Sequence, residues 1–215
     1  MDYLREHPDR VWELTQQHIE LVAISLLVAV LIGIPTGILI TRVRWLEGPI
    51  IGTAGVLYTV PSLALFAILI PYTGLGSTTV IIALAMYSLL AIVRNTVAGI
   101  DDVPPATLDA ARGMGMTGAQ RLAMVELPLA LPVILAGVRV AAVAAVGIAT
   151  IASVVGAGGL GRLIFDGISR MPSEAASHRI YAGALVASAL ALIADGGLAL
   201  LGDLLRRDVR RTGRG

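Results

Sequence analysis

The sequence predicts an all-α membrane protein with five transmembrane helices. Hydrophobic residues make up 56% of the 215 residues and charged residues only 14%, whereas soluble domains average about 25% charged residues. The apolar residues are mostly aliphatic, because aromatic residues account for 4%, and 24 glycines accompany them. This composition suits helices that pack closely in lipid, where small residues let backbones approach. The lack of cysteine in the sequence excludes a disulfide scaffold and a metal–thiolate site.

Five apolar segments are each long enough to cross a hydrocarbon core of about 30 Å, which takes about 20 helical residues. They cover residues 21–41, 50–70, 77–100, 131–154 and 180–201. Residues 1–17 are acidic rather than cationic, which argues against a signal peptide, and we expect them to lie on the membrane surface as a short amphipathic helix. The chain therefore divides into an interfacial segment (1–17), a transmembrane domain (18–205) and a basic tail (206–215).

The arginines predict the orientation of the chain, which contains no lysine. If the loop between the third and fourth segments is cytoplasmic, nine arginines lie on the cytoplasmic side and five on the other side. Because cytoplasmic loops of membrane proteins carry an excess of basic residues, we expect an external N-terminus and a cytoplasmic C-terminal tail.

Residues 101–128 form the only long polar stretch between the apolar segments, and their order predicts two short helices. The pair Pro104-Pro105 fits the first turn of a helix over residues 106–114, where a missing N–H costs little. Either Gly113 or Gly115 could end that helix by adopting the left-handed conformation.

The second predicted helix of this loop covers residues 118–127. Thr117, with Gln120 three residues later, forms a capping-box pattern at its start, and Pro128 is expected to stop it. A loop with this internal order indicates a docking surface. The alternative is an ordinary amphipathic connector whose acidic residues are merely solvated.

The same loop resembles the EAA loop of ABC importer permeases. That family pattern reads Glu-Ala-Ala, three residues, Gly, nine residues and Ile-x-Leu-Pro. The matching positions here are Asp109, Ala110, Ala111, Gly115, Val125, Glu126, Leu127 and Pro128. The two departures from the pattern, Asp109 for Glu and Val125 for Ile, are conservative in charge and in shape.

Further segments resemble the osmoprotectant branch of these permeases, whose members import glycine betaine, choline, carnitine and similar quaternary amines. They are Thr59-Val60-Pro61-Ser62-Leu63-Ala64-Leu65, Tyr87-Ser88-Leu89-Leu90, Arg94-Asn95-Thr96 and Gly156-Ala157-Gly158-Gly159-Leu160-Gly161. The resemblance covers about residues 19–205 and implies a permease subunit of an ATP-driven osmoprotectant importer in the cytoplasmic (inner) membrane.

The resemblance also implies a fold and a set of contact residues. The fold is that of type I ABC importers, also called methionine-importer-like, with the EAA loop between the third and fourth spans. In that family the loop forms the coupling helix, which sits in a cleft of the cytoplasmic ATPase subunit. The residues expected to couple this chain to the ATPase are Asp109, Ala110, Ala111, Gly115, Glu126, Leu127 and Pro128.

The partners are likewise implied by the resemblance. Two copies of an ABC ATPase would bind ATP and Mg²⁺, so this chain would be a non-catalytic subunit without a cofactor or metal of its own. A second permease subunit, either an identical copy or a paralogue, would complete the translocation path, and an extracytoplasmic binding protein would deliver the solute. Membrane lipid would surround the bundle, and no nucleic acid is expected.

Two glycine patterns bear on nucleotide binding. Gly156-x-Gly158-x-x-Gly161 spells a dinucleotide fingerprint, but that motif requires a preceding strand, and here it follows an apolar membrane segment. We expect these glycines to form a tight turn or a re-entrant bend at the end of the fourth span. The sequence contains no G-x-x-x-x-G-K-[ST] pattern, so a partner must supply the energy for transport.

Three charged residues fall inside the apolar segments: Arg94, Arg139 and Asp195. Because charges in lipid are costly and usually face protein or water, we expect Arg139 and Asp195 to form an ion pair. The alternative is that Arg139 snorkels and that Asp195 lies at the polar inner rim. Arg94 is expected to snorkel to the cytoplasmic interface.

Pro61 lies in the middle of the second segment and predicts a broken helix, because it leaves a carbonyl near Leu57 without its usual donor. Broken helices beside cavities place polar backbone along transport pathways. The residues expected to line such a path are Tyr58, Thr59, Pro61, Ser62 and Asn95. The alternative is a structural kink whose Thr and Ser side chains bond back to their own helix.

The aromatic content bears on selectivity. A quaternary ammonium group is normally held by several aromatic faces, and the chain has only two Trp, five Tyr and two Phe. A complete high-affinity cage is hard to build from so few rings. We therefore expect selectivity to reside mainly in the separate binding protein, with a weak, gated passage through the permease.

Three other functions compete with this interpretation. The chain could be an ABC permease for another small solute, such as an amino acid. An ion-coupled secondary carrier often shows inverted repeats and paired intramembrane carboxylates, whereas Asp195 is the only acid inside the segments. An intramembrane enzyme would need a set of nucleophile, base and orienting group, and no such set and no H-E-x-x-H pattern occurs.

Overall fold

The computed structural model describes residues 2–212, and within that part the regular structure is helical. The α-helices in this part are α1 (Asp2–Glu6), α2 (Pro8–Arg42), α3 (Glu47–Thr59), α4 (Ser62–Thr73), α5 (Ser77–Asp101), α6 (Pro105–Gly113), α7 (Gly118–Arg121), α8 (Leu127–Ala149), α9 (Gly161–Ile168) and α10 (Glu174–Thr212). Two 3₁₀ turns cover Arg44–Leu46 and Thr150–Val155, and a π-helical turn covers Leu122–Glu126.

Four helical stretches within residues 2–212 are long and apolar enough to cross a membrane. They are α2, α5, most of α10 and the continuous stretch Gly118–Val155, which contains α8. The pair of α3 and α4, bent by 103° at a short break, adds a fifth if the two count as one span. The all-α membrane fold is therefore confirmed, with long helices at the first, third, fourth and fifth predicted spans.

The second predicted span is broken at Pro61. Val60 has φ −65° and ψ 129°, because a proline disfavours the α conformation in the residue before it. The Val60 N–H donates to the Leu57 carbonyl at 3.2 Å, and α4 begins at Ser62 in a new direction. The broken helix that Pro61 predicts is therefore present.

The first membrane helix begins earlier than the apolar pattern predicts. α2 runs without interruption from Pro8, so residues 8–17 belong to the helix of the first span rather than to a separate short helix. Val11 and Leu14 are buried, and both pack against residues of α9 and α10. Because this face has a packing partner, the helix continues through a polar sequence. That residues 8–17 lie at the membrane surface stays a prediction.

The other end of the chain also differs from the predicted division. α10 continues to Thr212, so the predicted basic tail, residues 206–215, begins inside this helix. Residues 213–215 lie outside the described part of the chain.

Glycines let the central helices approach closely, where α2 packs on α5 and α5 packs on α8. A Cβ atom placed on Gly37 of α2 would lie 2.5 Å from the Cβ of Thr96, and one on Gly137 of α8 would lie 2.5 Å from the Cβ of Asn95. Non-bonded carbon atoms do not approach that closely, since their optimal separation is about 3.5–4.0 Å. Both helix pairs therefore depend on glycine, as expected for helices that pack in lipid.

A glycine turn closes the end of the bundle opposite to the polar loop. Gly158 and Gly159 have φ values of 81° and 79°, which glycine adopts without a steric penalty. The Gly159 N–H donates to Gln17 Oε1 at 3.1 Å, and the Leu160 N–H donates to His18 Nδ1 at 3.3 Å. The pattern that spells a dinucleotide fingerprint therefore forms a tight turn packed on the first helix.

Candidate functional site

The polar loop folds as an elbow at one end of the bundle, and we call residues 101–128 the loop elbow. α6 ends at Gly113, and Gly115 has φ +76°, so Gly115 is the glycine that adopts the left-handed conformation. The predicted capping box is present at the start of α7. Thr117 Oγ1 accepts a hydrogen bond from the Gln120 N–H at 3.3 Å, and Gln120 Oε1 accepts one from the Thr117 N–H at 2.8 Å.

The second helix of the loop does not stop at Pro128, and that prediction is wrong. α7 passes through the π-helical turn Leu122–Glu126 into α8, where Pro128 occupies the first turn. In this turn the Leu127 N–H donates to the Leu122 carbonyl, five residues earlier. The wider turn lies just where a proline ring conflicts with the usual bonding to the carbonyl four residues before it. The loop elbow is therefore continuous with a membrane helix.

A buried carboxylate joins the loop elbow to the first membrane helix. Glu126 is only 1% exposed, and its Oε1 accepts a hydrogen bond from Arg121 Nε at 2.9 Å. Its Oε2 accepts one from Arg42, which is the last residue of α2. A buried carboxylate requires such partners, because removing it from water without them is costly. Glu126 therefore ties α2, α7 and the π-helical turn together.

A second ion pair connects the same end of α2 to the end of α5. Arg44, in the 3₁₀ turn after α2, donates to the two carboxylate oxygens of Asp101 at 2.8 and 2.5 Å. Bidentate contacts of this kind are the strong form of the arginine–carboxylate pair. The loop elbow is therefore braced at both of its ends by arginines that follow the first span.

The predicted coupling residues divide into an exposed set and a buried set. Asp109, Ala110 and Gly115 are exposed, and so are Met114 and Met124, at 70% and 66%. The buried and half-buried members are Ala111, Glu126, Leu127 and Pro128. Sequence analysis missed the two methionines, although apolar residues in the most polar stretch of the chain were a signal for them. The exposed set forms the outer surface of the loop elbow, and the other set packs towards the bundle.

A groove of about 280 Å³ lies between α3, α5 and α8. Its aromatic wall consists of Tyr58 and Tyr87, whose ring centroids are 6.1 Å apart with an interplanar angle of 78°, an edge-to-face contact. The Tyr87 hydroxyl donates to the Val60 carbonyl at the helix break, at 2.5 Å. The other lining residues are Leu90, Ala91, Arg94, Asn95, Val140, Ala141 and Ala144.

The residues predicted to line a path are divided by the structure. Tyr58 and Asn95 line the groove, whereas Pro61 and Ser62 lie at the helix break. Thr59 Oγ1 donates to a carbonyl of its own helix at 2.7 Å. This bond is the one expected if the break is a structural kink whose side chains bond back to their own helix. The helix break and the groove are thus neighbours, because the hydrogen bond from Tyr87 to the Val60 carbonyl joins them.

Sequence analysis placed only Asn95 of α5 along the path and missed the other groove residues of this helix. Tyr87, Ala91 and Arg94 line the groove from one helix, and their spacing of four and three residues places them on one helix face. That spacing was the available signal, because Asn95 was already a candidate. Arg94, expected to snorkel to the interface, lies among the groove residues.

The structure brings Arg139 of α8 and Asp195 of α10 together. The Arg139 Nε and Nη2 atoms each donate to a carboxylate oxygen of Asp195 at 2.9 Å. The side chains are 35% and 41% exposed, and they lie in a mainly apolar groove of about 860 Å³ between the two helices. In a membrane each group offsets the cost of burying the other.

Known proteins share both the sequence and the fold. Residues 29–207 match the family described as binding-protein-dependent transport system inner membrane component. The chain is 44% identical over 198 residues to the osmoprotectant import permease protein OsmW of Salmonella typhimurium, with 90% of each chain covered. It is 46% identical over 179 residues to the glycine betaine/carnitine/choline transport system permease protein OpuCD of Bacillus subtilis, with 83% of this chain and 77% of the relative covered.

Two solved structures show the same fold at low sequence identity. An inward-facing form of the MetNI methionine ABC transporter matches with a TM-score of 0.79 and 21% identity, covering 92% of this chain and 94% of that chain. An amino acid ABC transporter with histidines matches with a TM-score of 0.70 and 21% identity, covering 95% and 96%. The methionine-importer-like fold is therefore confirmed. Together with the family match over residues 29–207, these likenesses lead to one conclusion: the chain belongs to the inner membrane components of binding-protein-dependent transport systems, the permeases of ABC importers.

Proposed function

We propose that this chain is the translocating subunit of an ATP-driven importer of osmoprotectants such as glycine betaine, choline and carnitine. Relatives named for osmoprotectant import and for glycine betaine, carnitine and choline transport are 44% and 46% identical over most of their length. The chain contributes half of a membrane path, and a second permease subunit, identical or paralogous, contributes the other half. An extracytoplasmic binding protein delivers the solute.

The loop elbow carries the proposal, because it is the element through which a separate motor acts. Two ATPase subunits bind ATP and Mg²⁺, and each receives one loop elbow through the exposed set that includes Asp109 and Gly115. The continuity of the elbow with α8 supports this role, since the helix passes through the π-helical turn into α8 without a break. The distribution of arginines supports placing the elbow, and with it the C-terminal end of the chain, in the cytoplasm.

Closure of the ATPase pair moves the two loop elbows, and each elbow moves the membrane helices attached to it. α8 follows because it continues the elbow directly. α2 follows because Arg42 holds Glu126, and α5 ends at Asp101, which Arg44 holds. The groove between α3, α5 and α8 lies among these helices, so its width changes with the position of the elbow.

Reconstitution tests this proposal. The chain, its partner permease, ATPase and binding protein are assembled in proteoliposomes, and uptake of labelled glycine betaine is measured with and without ATP. We expect uptake that requires both ATP and the ATPase subunit. The double variant Asp109→Ala with Gly115→Ala should lose most uptake, because it removes the exposed carboxylate and disfavours the left-handed turn that positions it.

The matched control is Asp102→Asn, which removes an exposed charge of the same loop outside the motif and should keep uptake near the wild-type level. Uptake that is unchanged in the double variant would contradict the coupling role of the elbow. ATP-dependent uptake of an amino acid, with none of any quaternary amine, would contradict the substrate class while leaving the importer role intact.

A further inference from the structure

An exposed arginine without a partner among the described residues lines the groove between α3, α5 and α8. Within the described part of the chain, Arg94 makes no hydrogen bond or ion pair, whereas Arg139 is paired with Asp195. None of the nine residues that line the groove is acidic. Because an ionised group in a membrane is costly unless something compensates it, such a group is a candidate functional residue. The groove therefore offers an unused positive charge.

The aromatic wall of the groove favours a cation, whereas Arg94 favours an anion. Tyr58 and Tyr87 meet edge to face, and the faces of such rings attract cations through their quadrupole. The hydrogen bond from the Tyr87 hydroxyl to the Val60 carbonyl restrains that ring. The small side chains of Ala91, and of α8 opposite, leave room beside the rings. One groove thus combines a surface that favours a cation with a group that favours an anion.

The spacing of the two features suits a small zwitterion. Tyr87 and Arg94 are seven residues apart on one helix, which separates their Cα atoms by about 10 Å along the axis. Side chains of a helix lean towards its N-terminus, so both side chains lean in the same direction and the lean does not change their separation. The flexible arginine side chain can close part of this separation, which leaves a gap that a small zwitterion can bridge. The volume of about 280 Å³ lies just below the usual range for ligand pockets, as a small ligand would require.

We propose that this groove is a low-affinity site for zwitterionic quaternary amines, with the ammonium group against Tyr58 and Tyr87 and the carboxylate on Arg94. The inference rests on the proposed function and says how its substrates are held and ranked. A betaine or carnitine satisfies both ends of the site. Choline, which has no carboxylate, leaves Arg94 unpaired and is repelled by it, so the groove ranks zwitterions above choline.

Binding to the permease–ATPase complex, measured without the binding protein, tests the inference. Saturation-transfer NMR titrations with glycine betaine and with choline give the two dissociation constants in wild type and variants. We expect tighter binding of glycine betaine than of choline in the wild type. Arg94→Gln should raise the dissociation constant of glycine betaine by about tenfold or more, since a charge-assisted contact is lost. The dissociation constant of choline should stay the same or fall.

Two further substitutions separate a specific site from general damage. Tyr87→Leu should weaken the binding of both ligands. Tyr87→Phe keeps the ring and should weaken binding less than Tyr87→Leu does. Arg162→Gln removes an exposed arginine outside the groove and should change neither dissociation constant. Arg94→Lys should keep part of the preference for glycine betaine over choline that Arg94→Gln loses, because the positive charge is kept.

Three outcomes overturn the inference. Equal losses for both ligands in Arg94→Gln, no loss for either, or a wild type that binds choline more tightly would each contradict a carboxylate contact at Arg94. In all three cases ATP-dependent uptake of quaternary amines by the reconstituted importer would still support the proposed function. If the wild-type importer takes up no quaternary amine, the proposed substrate class fails, and this inference fails with it.

Discussion

Substitution of Glu126 by glutamine tests whether the buried carboxylate holds the loop elbow on the first membrane helix. The bond from Arg121, which is 19% exposed, is sheltered, and a charge-assisted bond of this kind contributes about 1.5–3 kcal/mol. The bond from Arg42, which is 40% exposed, is screened by water and contributes about 1 kcal/mol or less. Because the amide oxygen of glutamine still accepts one bond, we expect a net loss of about 2 kcal/mol.

Hydrogen exchange measures this loss where it occurs. A reduction of about 2 kcal/mol in the free energy of local opening accelerates amide exchange about thirtyfold, since about 1.4 kcal/mol corresponds to a factor of ten. We expect this acceleration in peptides that cover residues 118–127 of Glu126→Gln in lipid nanodiscs. Asp102→Asn removes the same charge from an exposed position in the same loop and should change exchange there by less than about twofold.

Exchange of these peptides within about twofold of wild type in Glu126→Gln would refute the role of the carboxylate, because a loss of only about 0.4 kcal/mol corresponds to that factor. A uniform acceleration across all helices would also refute it, since the variant would then destabilise the whole bundle rather than release the elbow. Combining Glu126→Gln with Arg121→Gln adds a check. If the pair interacts as described, the second substitution should add little to the effect of the first.

Three further predictions concern helix contacts. Arg139→Asp or Asp195→Arg alone should lower the yield of folded protein in size-exclusion chromatography, because each brings like charges together in the membrane. The two changes combined should restore it, and no recovery would argue against the pair. Gly37→Val should destabilise the bundle by about 1–3 kcal/mol, because it forces a side chain against α5. Gly48 has open space around it, so Gly48→Val should not destabilise the bundle. Equal melting temperatures of the two variants would contradict this prediction. His18→Leu should also lower the melting temperature, because it leaves a buried backbone N–H and a buried carbonyl without their partner; an unchanged value would show that this histidine is dispensable.

Much of the local structure follows from short stretches of sequence. The capping box of Thr117 and Gln120, the left-handed turn at Gly115 and the break at Pro61 each depend on residues a few positions apart. Short-range signals are therefore sufficient to predict these three features. The apolar segments also locate the long helices, because a hydrocarbon core requires about 20 apolar helical residues.

The predictions that differ from the structure concern helix ends. Pro128 does not end the second helix of the loop, because a π-helical turn accommodates it and Glu126 in that turn is held by two arginines. The first helix does not begin at the apolar boundary, because Val11 packs against α9 and α10. In both cases contacts with other helices outweigh the local signal, and such contacts are not visible in a pattern of neighbouring residues.

The sequence by itself determines that this chain is a helical membrane protein with a polar, ordered elbow, because composition and local hydrogen bonding decide both. The tertiary structure alone decides which distant residues meet. Glu126 finds Arg42 across 84 positions of sequence, and Tyr58 joins Tyr87 and Arg94 only because α3 packs on α5. The reason is physical: a groove or an ion pair between helices depends on how the helices are packed, and here glycines such as Gly37 and Gly137 set how closely they approach.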